Sequence, residues 1–310
     1  MLSRIAEGLF WTGRYVERAE GTARILDVLV QHLLEDPAVD EPAVAGGLLA
    51  VMGVPAPGNR PVGIRDVVDL LAFDDRVPSS ITASLTAARE NARSIREAIS
   101  SELWECLNTT FHALPAEVAA TGGLGTHAFF SFVRRQSAMV AGLVDGTMRR
   151  DDGWRFFVLG RSLERADMTT RLLSARLGDS SESPEWVTTL RSCSAHEAYL
   201  RTYQRSVEGP LVAEFLLLDQ LFPRSVFHSL ALAERCLAEL DPRSDAGGLD
   251  AEARMVLGRV RTMLEFRRID ELVDDLPRLL ASVAGACHEA ADVLARRYFR
   301  PVAALRWSVE

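Results

Sequence analysis

The sequence predicts an all-α protein, a helical bundle built from a tandem duplication with pseudo-twofold symmetry. Three observations predict it. Ala, Leu, Glu and Arg abound, whereas β-branched clusters and apolar–polar alternation are scarce, a pattern that favours helices over strands. The stretch Phe10–Asp27, FWTGRYVERAEGTARILD, returns 147 residues later as Phe157–Ser174, FVLGRSLERADMTTRLLS. A second pair, Leu71–Leu85 and Leu216–Leu230, repeats at an offset of 145, with Leu71/Leu216, Asp74/Asp219, Pro78/Pro223, Ser80/Ser225, Ser84/Ser229 and Leu85/Leu230 identical. Two blocks at nearly one offset imply a single domain, 1–310, made of repeats covering approximately 1–150 and 151–310 and packed as one bundle.

The elements follow in order. Ser3 is placed to cap a first helix that runs to about Glu35 and stops before Pro37. Residues 37–63 are rich in Gly and Pro and read as a connection with a short helix near Ala43–Met52. Ile64–Phe73 carries a short helical pattern. Pro78 opens a longer helix reaching Ile99, in the first turn where its missing N–H costs nothing. Ser101 is placed to cap a short helix over 101–113. After a Gly-rich break at Thr121–Gly125, His127–Met148 reads as a helix with Phe129, Phe132, Met139 and Leu143 facing inward. Asp151 and Asp152 put negative charge at the start of the second repeat helix, where the helix dipole favours it. Helices over about Ala251–Arg268 and Leu276–Phe299 precede a tail, RPVAALRWSVE.

Composition narrows the function. A net charge of −8 and a pI near 5.4 argue against broad nucleic-acid binding. All 35 basic residues are arginine, so no mechanism can use a lysine of this chain. Cys106, Cys193, Cys236 and Cys287 form no CxxC pair and read as small buried hydrophobes in a reducing compartment. The N-terminus lacks the pattern of a signal peptide, and no apolar run approaches a membrane span, so the expected setting is cytoplasmic. Cys193-x-x-His196 and Cys287-His288-Glu289 offer ligand types without a second half at zinc spacing, so no metal is expected. A P-loop, a dinucleotide fingerprint and a nucleophile elbow are all missing, and no cofactor is called for.

The repeated helix carries the candidate site. Between Gly13 and Leu26, eight of fourteen residues match the second copy: Gly13/Gly160, Arg14/Arg161, Glu17/Glu164, Arg18/Arg165, Ala19/Ala166, Thr22/Thr169, Arg24/Arg171 and Leu26/Leu173. Chance would give about one. Packing alone would preserve the apolar stripe, yet most matches are polar. On a helix, Trp11, Tyr15, Val16, Ala19, Ala23, Leu26, Leu29 and Val30 gather on one side, and Arg14, Glu17, Arg18 and Arg24 fall in an arc opposite, edged by Glu20 and Asp27. Arg14–Glu17 and Glu20–Arg24 can pair along the helix, as can Arg161–Glu164 and Asp167–Arg171. Two readings follow. A crossing of the two helices would bury a reciprocal network, Glu17 to Arg161 and Arg165, Glu164 to Arg14 and Arg18. Alternatively, the surplus of Arg over Glu would make a cationic pocket for a carboxylate or phosphate, with the glutamates orienting arginines or moving protons.

These residues resemble the alpha-E domain family of bacterial proteins. The resemblance rests on MLSRIAEGLFWTGRYVERAEGTARILD, on RENAR at 89–93, on FVLGRSLERADMTTRLL and on ARRYF near the C-terminus, and covers nearly the whole chain. Gly8 and Gly21 depart from it, standing where larger polar residues are usual. The resemblance singles out Arg89, Glu90, Asn91 and Arg93, although a solvated helix face explains that cluster as well. It also implies a circularly permuted ATP-grasp protein as partner, with a transglutaminase-like protein as a second, and hence a role in making or modifying amide or peptide bonds. The expected function is an accessory or substrate-presenting subunit of an ATP-grasp ligase system. The alternatives are an enzyme acting on an anionic or peptide-like substrate, and an architectural protein that forms homo-oligomers.

Overall fold

The acidic residues of both charged motifs are buried where two long helices meet, most of their arginines are partly buried, and other helices pack around that pair. The computed structural model describes residues 1–58, 60–121, 125–178, 184–241, 252–267 and 269–299, which form thirteen α-helices and, among these residues, no strand. They are α1 (Ser3–Glu35), α2 (Glu41–Met52), α3 (Ile64–Val68), α4 (Ile81–Ser94), α5 (Ser101–Ala119), α6 (Thr126–Thr147), α7 (Asp152–Ser174), α8 (Glu185–Ser192), α9 (His196–Tyr203), α10 (Gly209–Leu218), α11 (Val226–Leu240), α12 (Glu252–Glu265) and α13 (Ile269–Leu294). Single π-helical turns follow α3 at Asp69–Phe73 and α13 at Ala295–Phe299. No helix among the described residues is long and apolar enough to cross a membrane.

Helix α1 packs along α7, its main partner, and each carries its own companions: α4 and α6 lie on α1, α11 and α13 on α7. Glycine permits the closeness. A Cβ on Gly13 would fall 2.2 Å from the carbonyl oxygen of Phe157, and one on Gly160 would fall 2.1 Å from that of Phe10. Backbone therefore meets backbone at both places, which only glycine allows. One core unites Phe10, Phe156, Phe157 and Leu163 with the helices of the second half. A second gathers Leu26, Leu49, Leu71, Phe129 and Phe130 around the far end of α1.

Several local expectations need correction. Ser3 is the first residue of α1 and Leu2 the residue before it, with no side-chain cap. Pro78 lies in the turn before α4, whose cap is Ser80, accepting the Ala83 N–H at 3.1 Å. That helix ends at Ser94, short of Ile99, and a 3-10 turn follows. Ser100, not Ser101, caps α5, which runs on to Ala119 through an internal Pro115. Met139 is 52% exposed and does not join Phe129 and Phe132 in the core; Leu143 is only partly buried. Helix α13 starts at Ile269, well before Leu276, with Pro277 inside it. Helices α8 and α9 have no counterpart in the sequence reading. Arg268 and the tail from Arg300 lie outside the described residues. All four cysteines are buried and unpaired.

Candidate functional site

The charged arcs of α1 and α7 face each other across the glycine contacts. Glu164 is 3% exposed and accepts from both arginines of the first copy: Arg14 Nε at 2.7 Å, Arg18 Nε at 2.5 Å and Arg18 Nη2 at 2.9 Å. Glu17 is 6% exposed and accepts Arg165 Nε at 2.8 Å and Arg165 Nη2 at 2.6 Å. Adjacent Glu and Arg on each helix thus exchange partners, Glu17 with Arg165 and Arg18 with Glu164. The i,i+4 pairs also form, Arg24 with Glu20 and Arg171 with Asp167, the latter at 2.9 Å. The i,i+3 pairs Arg14–Glu17 and Arg161–Glu164 do not form among the described residues, since both glutamates take donors from the opposite helix.

The expected reciprocity fails at one position. Arg161 does not reach Glu17; its Nε is buried and makes no hydrogen bond among the described residues. Arg224, in the turn before α11, takes the place, donating from Nη1 to Glu17 at 2.8 Å and from Nη2 to Glu20 at 2.6 Å. Sequence reasoning missed Arg224. The available signal was its position between the matched Pro223 and Ser225, opposite Ser79 in the first half.

Electrostatics follow from these neighbours. Burial disfavours the Glu17 carboxylate, but Arg165 and Arg224 outweigh it and hold the carboxyl down at about 2. At Glu164 burial is likewise outweighed by Arg14 and Arg18, and the pKa is lowered. Burial lowers the Arg161 pKa, and the charge of Arg165 adds to that. Both glutamates are therefore fixed as anions, and neither is a proton donor near neutrality.

A cleft of about 720 Å³ opens beside Glu164, lined by Arg14, Arg18, Asp167 and Arg171 along with Trp11, Tyr15, Arg76, Ser79 and His288. The Arg14 and Arg18 guanidinium groups lie 5.4 Å and 5.5 Å from the Trp11 and Tyr15 rings, which holds them at the cleft wall. Arg24 lies on the closed side instead, where its Nη1 donates to Ser194 Oγ at 2.7 Å.

The secondary cluster stands apart. Arg89 donates to Asn108 of α5 at 3.2 and 3.1 Å and lies 4.9 Å from the Phe111 ring, so it ties α4 to α5 rather than pointing into solvent. Glu90 pairs with Arg89 and with the exposed Arg93, and Asn91 donates to the Ala87 carbonyl at 2.8 Å. At the other end of α1, Asp27 accepts from His127 at 2.6 Å and forms an ion pair with Arg134 at 3.0 Å, fastening α6 to α1. Cys287 is buried, whereas its neighbour His288 lines the cleft.

The fold and the paired Glu–Arg steps define an all-helical protein organised on an ER motif. The chain belongs to the Alpha-E family, described as a predicted alpha-helical domain with a conserved ER motif, whose profile matches residues 1–299. It is similar to uncharacterised proteins of Mycobacterium bovis and Mycobacterium tuberculosis, with 26% identity over 325 residues that take in 94% of this chain. The chain spans only 36% of the length of these curated relatives. No solved structure matches it.

Proposed function

We propose that the chain is a non-catalytic, substrate-presenting partner of a circularly permuted ATP-grasp amide ligase, with the cleft beside Glu164 as the presenting site. The observation that carries this is the location of an open polar cleft at the crossing. It borders Glu164 with Arg14, Arg18 and Arg171, so a ligand there meets a fixed array of donors. Carboxylates held ionised by arginine are suited to positioning and poorly suited to proton transfer, which favours presentation over catalysis. ATP and the condensation chemistry belong to the partner, and the cytoplasm is the compartment this reading requires.

The two halves are also best understood as tandem copies related by a pseudo-twofold axis through the α1–α7 contact. The reciprocal placement of Gly13 and Gly160 and the matching caps Ser80 and Ser225 support that reading. Under it, the Glu17 cluster is the structural network and the Glu164 cluster the binding site. Co-purification with a circularly permuted ATP-grasp protein is the test. Stable association without amide turnover by this chain alone is expected; turnover by the isolated chain would make it an enzyme, and absence of association would remove the accessory role.

A further inference from the structure

One half of the crossing supplies a template for the other. Arg224 and Ser79 occupy matching positions: each follows a matched proline, Pro223 or Pro78, and directly precedes the serine that caps the next helix, Ser225 or Ser80. In the closed half the Arg224 guanidinium spans two carboxylates, Glu17 at 2.8 Å and Glu20 at 2.6 Å. The corresponding carboxylates of the open half are Glu164 and Asp167, and no side chain spans them there. Ser79 lines the cleft instead. Asp167 is 6% exposed, its Oδ2 accepts from Arg171, and its Oδ1 is buried with no hydrogen-bond partner among the described residues. Proteins rarely leave such an oxygen unsatisfied.

Charge agrees with geometry. Arg14, Arg18 and Arg171 border the open half; their matches Arg161 and Arg165, with Arg24 and the additional Arg224, border the closed one. Arg76 also lines the open half but is paired with Asp74, so what the carboxylate pair there lacks is a guanidinium placed as Arg224 is. We propose that the cleft beside Glu164 seats the ammonium or guanidinium group of a small organic ligand between Glu164 and Asp167, as Arg224 is seated between Glu17 and Glu20. This rests on the substrate-presenting reading and assigns its ligand a chemical class, an N–H-bearing cation. The adjustment required is already displayed in the closed half. There Arg161, the match of Arg14, makes no bond to Glu17, whereas Arg14 in the open half donates to Glu164 at 2.7 Å. A seated cation therefore frees Arg14 for an anionic group of the same ligand, and an amino acid or short peptide supplies both charges.

The test is calorimetric titration of the full chain with n-butylguanidine, n-butylamine and tetramethylammonium, the last having the charge but no N–H donor. At least one of the first two is expected to bind about tenfold more tightly than tetramethylammonium, and Asp167→Asn to weaken that binding at least about tenfold. Ser79→Arg, which tethers a guanidinium at the seat, is expected to fold with an unchanged or higher melting temperature and to lose binding. No binding by either N–H cation at about 10 mM, or Ser79→Arg binding as the wild type does, overturns the seat. Should Asp167→Asn fail to fold, Ser79→Arg alone decides. Loss of the ATP-grasp partner with cation binding intact would overturn the accessory role but not the seat. An intact partnership with no cation binding would do the reverse.

Discussion

The two sides of the α1–α7 crossing carry the same ER motif and differ where Arg224 on one side matches Ser79 on the other. On one side Arg224 lies between Glu17 and Glu20, and the cluster is closed; on the other, Ser79 leaves Glu164 and Asp167 at the wall of a cleft. Closure has displaced Arg161 from the carboxylate that its match Arg14 retains at Glu164. Each buried glutamate of the motif takes three N–H donors from two arginines, and at Glu17 a third arginine, Arg161, is left over. On the proposed reading one cluster is structural and the other admits a ligand, although the ER step is the same in both.

The largest expected effect tests that division. Glu17→Ala strands the largely buried Arg165 and Arg224, at a cost of about 3–5 kcal/mol. Glu164→Ala should cost clearly less, because water entering the cleft can solvate Arg14 and Arg18. Urea denaturation measures both, and equal costs would erase the distinction. Next, Gly13→Ala and Gly160→Ala each drive a methyl into the facing carbonyl, and a loss of about 3 kcal/mol is expected from the same measurement.

Acid titration sharpens the comparison further. The folded protein holds the Glu17 carboxyl at about 2, below its ordinary 4.5, so it binds that proton less readily than the unfolded chain does. Stability from this group is complete above about 4.5 and lost as pH falls toward about 2. Melting temperatures recorded across that window should fall in the wild type and fall less steeply in Glu17→Gln. The smallest effect has the opposite sign. Gly21→Ala places a Cβ 3.6 Å from Met168, an ordinary contact, and should stabilise by about 0.5–1 kcal/mol in thermal unfolding. The repeats differ at that position, Gly21 against Met168, and tolerance there beside intolerance at Gly13 would mark where the two helices actually meet.

Much of this arrangement was legible in the sequence. Matched polar residues at one offset predicted that Glu17 and Glu164 would each meet arginines of the other copy, and they do. Gly13 and Gly160 were visible as identities, but their purpose depends on interhelical distance, which periodicity does not encode. Arg224 was hidden for a related reason: its partners lie 207 and 204 residues away, and the alignment that exposed Pro223 and Ser225 drew attention to what matched. Met139 misled because an apolar residue at helical spacing reads as core, although its place on α6 is more than half exposed. RENAR read as a solvated face; Arg89 proved to be a tie to α5, since an arginine beside Trp104 and Phe111 can rest its plane on rings the sequence does not place nearby.

The glycine contacts bear on how this chain can change. Each glycine hydrogen occupies room that the opposite carbonyl defines, so neither helix can acquire a side chain at that level unless the other retreats. A retreat would also part Glu17 from Arg165 and Glu164 from Arg18, since the same two backbones carry all four. Substitutions around the cleft, at Ser79 or Arg76, touch neither constraint. The cleft wall can therefore be altered without loosening the crossing that supports it, a hinge-pin with one removable part.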